Sequence, residues 1–122
     1  MSAQTVLIVE DDTWLAEQQK RVLAKAGYKT AVSPNAIEAI NDIDKINPDV
    51  ILLDVLLTGN TAFALLHELK SYTDTVVIPI IFCTNLAADI SLSDVSSYGV
   101  KRILDKATMM PEDVVAAVRS VL

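Results

Sequence analysis

The strongest constraint on the fold is a regular alternation of short apolar runs with segments of helical spacing. Nearly continuous apolar character indicates strands buried on both faces, as in a parallel sheet covered by helices. The predicted strands cover residues 5–10, 29–32, 49–54, 80–84 and 102–105. Pro79 cannot donate to a strand ladder, so we expect it at or before the start of the fourth strand.

Helical spacing predicts a helix between successive strands and after the last one. The first runs from Trp14 to Ala26, with Gly27 as its stop. The second opens with Ser33 as N-cap and Pro34 as first helical residue. A weaker fourth helix is predicted over 86–98, ending before Gly99, and Pro111 opens the last helix. The apolar positions with core-facing spacing are Leu15, Val22, Leu23 and Ala26, then Ile37, Ile40 and Ile43, then Phe63, Leu66 and Leu69, and finally Val114, Val118, Val121 and Leu122.

Strict alternation of strand and helix predicts a doubly wound (βα)5 fold, a three-layer α/β sandwich. A chain of 122 residues forms one domain, 1–122, that is large enough to bury a core. In such folds binding sites lie outside the carboxyl ends of the strands, where the strand order switches. We therefore expect Asp54 to end a strand at this edge rather than to be buried in the sheet.

Composition excludes several classes of function. The formal net charge of −6 and the lack of a Lys/Arg run argue against direct nucleic-acid binding. The longest apolar run, Val76–Cys83, is shorter than the ~18 residues of a membrane span, and the N-terminus shows no signal-peptide pattern. Cys83 is the single cysteine, which fits a reducing compartment. We expect a cytoplasmic protein without membrane partners.

Polar residues end or directly follow four of the five predicted strands. If those strands are neighbours, several carboxylates, a hydroxyl and an ammonium group converge on one crevice. The residues are Glu10-Asp11-Asp12, Asp54, Thr84-Asn85 and Asp105-Lys106.

Crowded carboxylates need a compensating positive charge. Each pair repels by ~4 kcal/mol at 4 Å with an effective dielectric near 20. Mg²⁺ is the natural complement because every candidate ligand is an oxygen, and it would leave a position for a phosphoryl oxygen. Thr84 and Lys106 would hold the other phosphoryl oxygens. Asp54 is the central carboxylate and thus the predicted nucleophile, since no His, Cys or Ser is placed to serve instead.

Four segments with characteristic spacing carry a family resemblance. They are "LIVEDD", "NPDVILLD", "IPIIFCT" and "YGVKRILDK", with gaps of 43 residues from Asp11 to Asp54, 30 to Thr84 and 22 to Lys106. Together they resemble the receiver domain of bacterial two-component response regulators, of the single-domain type. This resemblance implies a flavodoxin-like sheet with strand order 2-1-3-4-5.

The resemblance also implies a role for each site residue. Asp54 would be phosphorylated, and Mg²⁺ would be bound by it together with an acidic pair and a backbone carbonyl. Thr84 would hydrogen-bond the phosphoryl group and Lys106 would pair with it. The implied metal ligands are Glu10, Asp11, Asp54 and the carbonyl of Leu56.

The implied function is signalling rather than enzymatic turnover of an external substrate. The domain would take a phosphoryl group from a sensor histidine kinase or phosphotransfer protein, catalysing only its own phosphorylation and dephosphorylation. It would then signal through contacts with a downstream protein, with a homodimer as one form it could take. The alternative is a pseudo-receiver, an interaction module that works without phosphorylation.

Several positions depart from the family pattern and keep that alternative open. Ala107 stands where the family has a cis-proline, and a cis bond before a non-proline residue costs about 2.5–4 kcal/mol. Either the loop keeps a strained cis bond, or the bond is trans and Lys106 approaches the site differently. Ile103 replaces a switching aromatic residue. Leu56 and Leu86 are expected to flank the phosphoryl group and to slow its hydrolysis.

Several other residues are expected to have structural rather than functional roles. Asp12 is expected to cap a helix, with metal contact as the lesser alternative, and His67 to lie near solvent on the third helix. Cys83 is interpreted as a small buried hydrophobe. A phosphatase of the haloacid-dehalogenase type is set aside because Leu56 stands where it would need a second Asp. A dinucleotide-binding fold is set aside because no Gly-x-Gly-x-x-Gly follows the first strand.

Overall fold

The computed structural model describes residues 3–55, 62–72, 75, 77–85 and 87–122, which form a five-stranded parallel sheet of order β2-β1-β3-β4-β5. The strands are β1 (Thr5–Val9), β2 (Lys29–Ser33), β3 (Val50–Leu53), β4 (Ile80–Thr84) and β5 (Val100–Asp105). The helices are α1 (Thr13–Lys25), α2 (Ala36–Ile46), α3 (Ala62–Lys70), α4 (Leu92–Val95) and α5 (Pro111–Val121). The predicted fold and strand order are confirmed.

Two apolar cores cover the two faces of the sheet. Side chains alternate along β1, so that Leu7 and Val9 pack with α2 and α3 while Val6 and Ile8 pack with α1 and α5. All four residues of β3 are buried, as its unbroken apolar sequence predicts. The result is the expected three-layer sandwich.

The start of α2 differs from the prediction. Ser33 ends β2, and its hydroxyl donates to Asp42 Oδ2 at 2.7 Å. Asn35 is the N-cap instead, since its side chain accepts from the Glu38 amide at 2.9 Å. The assignment of Ser33 as N-cap and Pro34 as first helical residue was therefore wrong, because a partner on the helix captures the serine hydroxyl.

The buried face of α1 is also rotated from the predicted one. Ala16, Gln19 and Leu23 are its buried residues, whereas Ala26 is exposed at the C-cap. Several other residues of the predicted apolar faces are substantially exposed, namely Ile37, Phe63 and Leu122.

The segment before β5 does not form the continuous helix that was predicted over 86–98. It consists of a 3₁₀ turn at Ala87–Asp89, the four-residue α4 and a second 3₁₀ turn at Ser96–Tyr98. The hydroxyls of Ser91 and Ser93 lie 2.7 Å apart, and serine side chains of this kind compete with helical backbone bonding. Gly99 ends the segment at a φ of 91°, as predicted.

Within the described residues, no helix is long and apolar enough to cross a membrane.

Candidate functional site

Two neighbouring central strands position the acidic side chains. Val9 of β1 pairs with Leu53 of β3, so the residues that follow, Glu10 and Asp54, lie side by side at the carboxyl edge of the sheet. The Asp54 amide donates to the Val9 carbonyl at 3.1 Å. Asp54 therefore follows the end of β3 at this edge of the sheet, as expected, and it is still almost fully buried: Asp54 is 5% exposed and Glu10 is 3% exposed.

Three of the predicted site carboxylates form one cluster. Oxygens of Glu10, Asp11 and Asp54 lie within 4.8 Å of one another, with Asp11 on the exposed side. Asp12 lies outside this cluster and caps α1, because its Oδ1 accepts from the Leu15 amide at 3.0 Å. The structure thus separates the acidic pair from the third carboxylate of the sequence run.

Lys106 joins two of these carboxylates. Its Nζ lies 2.6 Å from Glu10 Oε1 and 2.9 Å from Asp54 Oδ2, and its side chain is only 13% exposed. Buried charges are tolerated when they are paired in this way, and charge-assisted bonds are stronger than neutral ones. One ammonium group is therefore shared by two buried carboxylates.

Burial and pairing shift the protonation of this cluster. Burial raises the pKa of Glu10 to about 7, although the bonds from Lys106 and from the Asp12 amide act against that rise. Burial by itself would lower the pKa of Lys106, but the bonds to Glu10 and Asp54 outweigh it, so the pKa of Lys106 is raised. Lys106 is charged at neutral pH, where Glu10 is close to its titration point.

The loop after β5 holds Lys106 without a proline. The described part of the chain contains no cis peptide bond, so the bond between Lys106 and Ala107 is trans. Asp105 organises the turn: its Oδ1 accepts from the Ala107 amide at 2.9 Å and its carbonyl accepts from the Met109 amide at 2.8 Å. Of the two geometries considered for this loop, the structure has the trans form, with Lys106 still reaching both carboxylates.

The fourth strand brings Thr84 to the same edge of the sheet. Thr84 is the last residue of β4, pairs with Asp105 and is fully buried at 0% exposure. Its carbonyl accepts from the Lys106 amide at 3.1 Å, which ties the ends of β4 and β5 together. The remaining predicted residues of this edge, Leu56 and Leu86, lie outside the described residues.

A sulfur-containing layer, not anticipated from the sequence, lies beneath the carboxylates. Cys83 accepts from Gln19 Nε2 at 3.3 Å and donates to Met109 Sδ at 3.2 Å. Burial raises the pKa of Cys83 to about 12, so the thiol stays neutral and behaves as the predicted buried hydrophobe. The placement of Gln19 was missed, although its spacing from Ala16 and Leu23 was a helical signal that could have found it.

His67 and Ile103 lie away from the carboxylates. His67 is exposed, as predicted, and its ring packs edge-to-face on Tyr98 with centroids 5.2 Å apart. Ile103 is half-buried against the core on the α2–α3 side of the sheet.

A five-stranded parallel sheet of this order, with an acidic cluster and a lysine at its carboxyl edge, defines the class of CheY-like receiver folds. Residues 6–119 match the family described as "Response regulator receiver domain". The chain belongs to this family of two-component signalling domains, and the family resemblance in the sequence is confirmed.

Individual relatives agree with that assignment. The chain is 32% identical over 122 residues to the phosphate regulon transcriptional regulatory protein PhoB of Pseudomonas aeruginosa, covering 100% of this chain and 53% of that protein. It is 33% identical over 90 residues to the transcriptional regulatory protein YvrH of Bacillus subtilis, covering 73% of this chain and 37% of that protein. The chain thus spans about half or less of these curated relatives.

Solved structures show the same fold. The signal receiver domain of a signal transduction histidine kinase from Syntrophus aciditrophicus superposes with a TM-score of 0.82 at 31% identity, covering 98% of this chain and 90% of that chain. The chemotaxis response regulator CheY4 of Vibrio cholerae superposes with a TM-score of 0.86 at 23% identity, covering 99% and 100%. Receiver domains are signalling domains rather than classical enzymes.

Proposed function

We propose that this receiver domain accepts a phosphoryl group on the Asp54 carboxylate. The observation that carries the proposal is the sharing of one lysine: Lys106 Nζ lies 2.9 Å from Asp54 and 2.6 Å from Glu10. An ammonium group next to the acceptor can pair with the phosphoryl oxygens as their charge develops. The burial of Asp54 shields the acceptor from bulk water.

The carboxylates fit a hard divalent cation. Glu10, Asp11 and Asp54 present only oxygen ligands within 4.8 Å of one another, and a single lysine leaves their formal charge negative. These three residues, with the carbonyl of residue 56, would hold Mg²⁺, which favours carboxylate oxygens and retains several waters. Bound there, Mg²⁺ supplies positive charge to the transferring phosphoryl group.

The proposed transfer uses three residues at the edge of the sheet, namely Asp54, Lys106 and Thr84. An oxygen of Asp54 forms a bond to phosphorus while the bond from phosphorus to an imidazole nitrogen of the donor breaks. The ammonium group of Lys106 gives up its bond to the Asp54 carboxylate and instead donates to a phosphoryl oxygen. Thr84 donates its hydroxyl to another phosphoryl oxygen, which requires a local shift because Thr84 is fully buried.

Membership of the family supports a proposal for the donor and the output. We take the donor to be a phosphohistidine on a sensor histidine kinase or a phosphotransfer protein in the cytoplasm. The output is contact with a downstream protein, since a chain with net charge −6 is poorly suited to bind nucleic acid directly. The relatives PhoB and YvrH are named as transcriptional regulatory proteins, and they are longer than this chain.

Chemical phosphorylation tests the proposal. The protein is incubated with acetyl phosphate and Mg²⁺, and intact mass spectrometry follows the addition of one phosphoryl group. The parent is expected to gain that mass, and Asp54→Asn or excess chelator is expected to abolish the gain. Asp12→Asn is the matched control, because Asp12 caps α1 outside the cluster and its loss should leave phosphorylation intact.

The second candidate is a pseudo-receiver that recognises its partner without phosphorylation. Ala107 in a trans bond and the aliphatic Ile103 favour it, because both depart from the family pattern. The same experiment separates the candidates. A parent protein that gains no mass with acetyl phosphate and Mg²⁺ would support the pseudo-receiver and overturn phosphorylation at Asp54.

A further inference from the structure

A groove between α1 and α5 remains unexplained by the phosphoacceptor site. Its volume is about 420 Å³, which falls within the range of small-molecule sites. Leu15 and Val22 of α1 and Val114 of α5 provide its apolar surface, together with Met109 in the loop before α5. Trp14 also lines it and is 70% exposed. The groove is thus apolar inside and opens to solvent beside α1.

The charged residues that line this groove are positive, whereas the whole chain is negative. Arg21, Lys25 and Lys106 line it, and no carboxylate does so among the described residues, although the chain carries a net charge of −6. Lys106 is committed to Glu10 and Asp54. Arg21 and Lys25 lie four residues apart on one face of α1, and no ion pair involves either of them in the described part of the chain. Their charges are therefore available to a ligand.

The side chains of the groove suit a ligand body of variable shape. Met109 and Met110 are flexible and polarizable, and methionine adapts to irregular apolar ligands. Trp14 provides a large flat surface that packs on aliphatic or aromatic groups. Apolar walls with two exposed cations close together on α1 match a molecule that is apolar along its length and negative at one end.

We propose that the α1–α5 groove binds a small amphipathic organic anion, such as a medium-chain carboxylate. The apolar body lies against Leu15, Val22 and Met109, and the carboxylate pairs with Arg21 and Lys25 at the rim. This binding goes beyond the proposed phosphorylation and does not depend on it.

Trp14 makes the proposal directly testable, because it is the single tryptophan of the chain and lines the groove. The parent protein is titrated with octanoate, and tryptophan fluorescence is followed to saturation. 1-Octanol serves as the neutral probe of the same chain length. Octanoate is expected to bind with a saturable fluorescence change and more tightly than 1-octanol.

Charge variants locate the carboxylate. Arg21→Gln with Lys25→Gln is expected to weaken octanoate binding about fivefold, because each partly exposed charge pair contributes modestly, and to leave 1-octanol binding unchanged. Lys20→Gln with Lys29→Gln is the matched control, since it removes the same charge from exposed positions outside the groove. Far-ultraviolet circular dichroism verifies that both double variants are folded.

Three results would overturn the proposal: no saturable change with octanoate, equal affinity for octanoate and 1-octanol, or equal weakening by the two double variants. Mass gain from acetyl phosphate is measured separately on the same preparations. A groove that fails to bind octanoate in a protein that is still phosphorylated on Asp54 would remove this inference and leave the proposed function standing.

Discussion

At the scale of single residues, the geometry of the site depends on the ammonium group of Lys106. It lies between two carboxylates that are almost fully buried, and its own side chain is 13% exposed. Without it, Glu10 and Asp54 would be neighbouring buried carboxylates that have lost the charge they share. Lys106 therefore stabilises the folded protein as well as serving the proposed chemistry.

Replacing Lys106 with Met should destabilise the protein at neutral pH. Loss of the ammonium group leaves two buried carboxylates without this partner, which we expect to lower the free energy of unfolding by roughly 1–3 kcal/mol. Urea denaturation at pH 7.5 measures the change. Lys101→Met in β5, the strand that precedes Lys106, is the control, because Lys101 is exposed and should be nearly neutral. Equal losses in the two variants would contradict the structural role of Lys106.

Glu10 should make stability depend on pH in an unusual direction for a carboxyl group. Its pKa is raised from 4.5 to about 7, so the folded state holds a proton in this interval that the unfolded chain has released. Its contribution to the free energy of unfolding is therefore fully present below pH 4.5 and is lost as pH rises through about 7.

Glu10→Gln removes that pH dependence. The parent loses the contribution of Glu10 as pH rises, whereas the variant does not, because glutamine does not titrate. The difference in the free energy of unfolding, variant minus parent, should therefore rise by roughly 1–3 kcal/mol between about pH 4.5 and 7.5. Urea titrations at half-unit pH steps provide the measurement, with Glu17→Gln on the exposed side of α1 as control. A difference that stays constant over this range would show that Glu10 titrates normally.

At the scale of elements, apolar patterning predicted the strands well and the helix boundaries less well. Every predicted strand lies within two residues of the observed one at each end. The central strands β1, β3 and β4 are buried, as their apolar composition predicts, whereas most residues of the edge strands β2 and β5 are not buried. The start of α2 was misplaced because a tertiary partner, Asp42, takes the hydroxyl of Ser33. Contacts of that kind cannot be seen in local sequence.

The corrected start of α2 makes a direct prediction. Asn35→Ala should lower the free energy of unfolding by about 1 kcal/mol, because the Asn35 side chain satisfies the Glu38 amide. Ser91→Ala is the matched control: Ser91 is the N-cap of α4 but makes no side-chain capping bond. Its hydroxyl contacts only the exposed Ser93 hydroxyl among the described residues, a bond that water can replace, so the substitution should cost little. Thermal unfolding of both variants measures the difference, and similar effects would argue against Asn35 as a working cap.

At the scale of the whole molecule, topology explains why so much of the site was predictable. A parallel sheet directs the carboxyl ends of all its strands to one edge, so the order 2-1-3-4-5 brings the ends of β1 and β3 together. The burial of Asp54 and the contacts of Cys83 with Gln19 and Met109 were not predictable, although helical spacing indicated the burial of Gln19 and the burial of Cys83 was predicted. These contacts depend on how α1 and the loop after β5 pack over the sheet, which periodicity does not specify.

The net charge of −6 also determines how a metal experiment must be designed. Any added salt screens repulsion within an acidic chain, so stabilisation by Mg²⁺ alone does not demonstrate a site. A specific site adds stabilisation beyond screening, because a ligand that binds only the folded state raises the free energy of unfolding. We expect Mg²⁺ to raise the melting temperature more than NaCl does at equal ionic strength.

Asp11→Asn should abolish that excess, because Asp11 belongs to the carboxylate cluster and its exposure makes the substitution mild. Asp12→Asn changes the net charge by the same amount, but Asp12 lies outside the cluster. In this variant the extra rise in melting temperature with Mg²⁺ over NaCl should therefore equal that of the parent. Differential scanning fluorimetry of the three proteins provides the comparison. Because both variants have the same net charge, loss of the extra rise in melting temperature in both would show that Mg²⁺ acts through the overall negative charge of the molecule and not at a specific site. A loss confined to Asp11→Asn places the ion at the edge of the sheet.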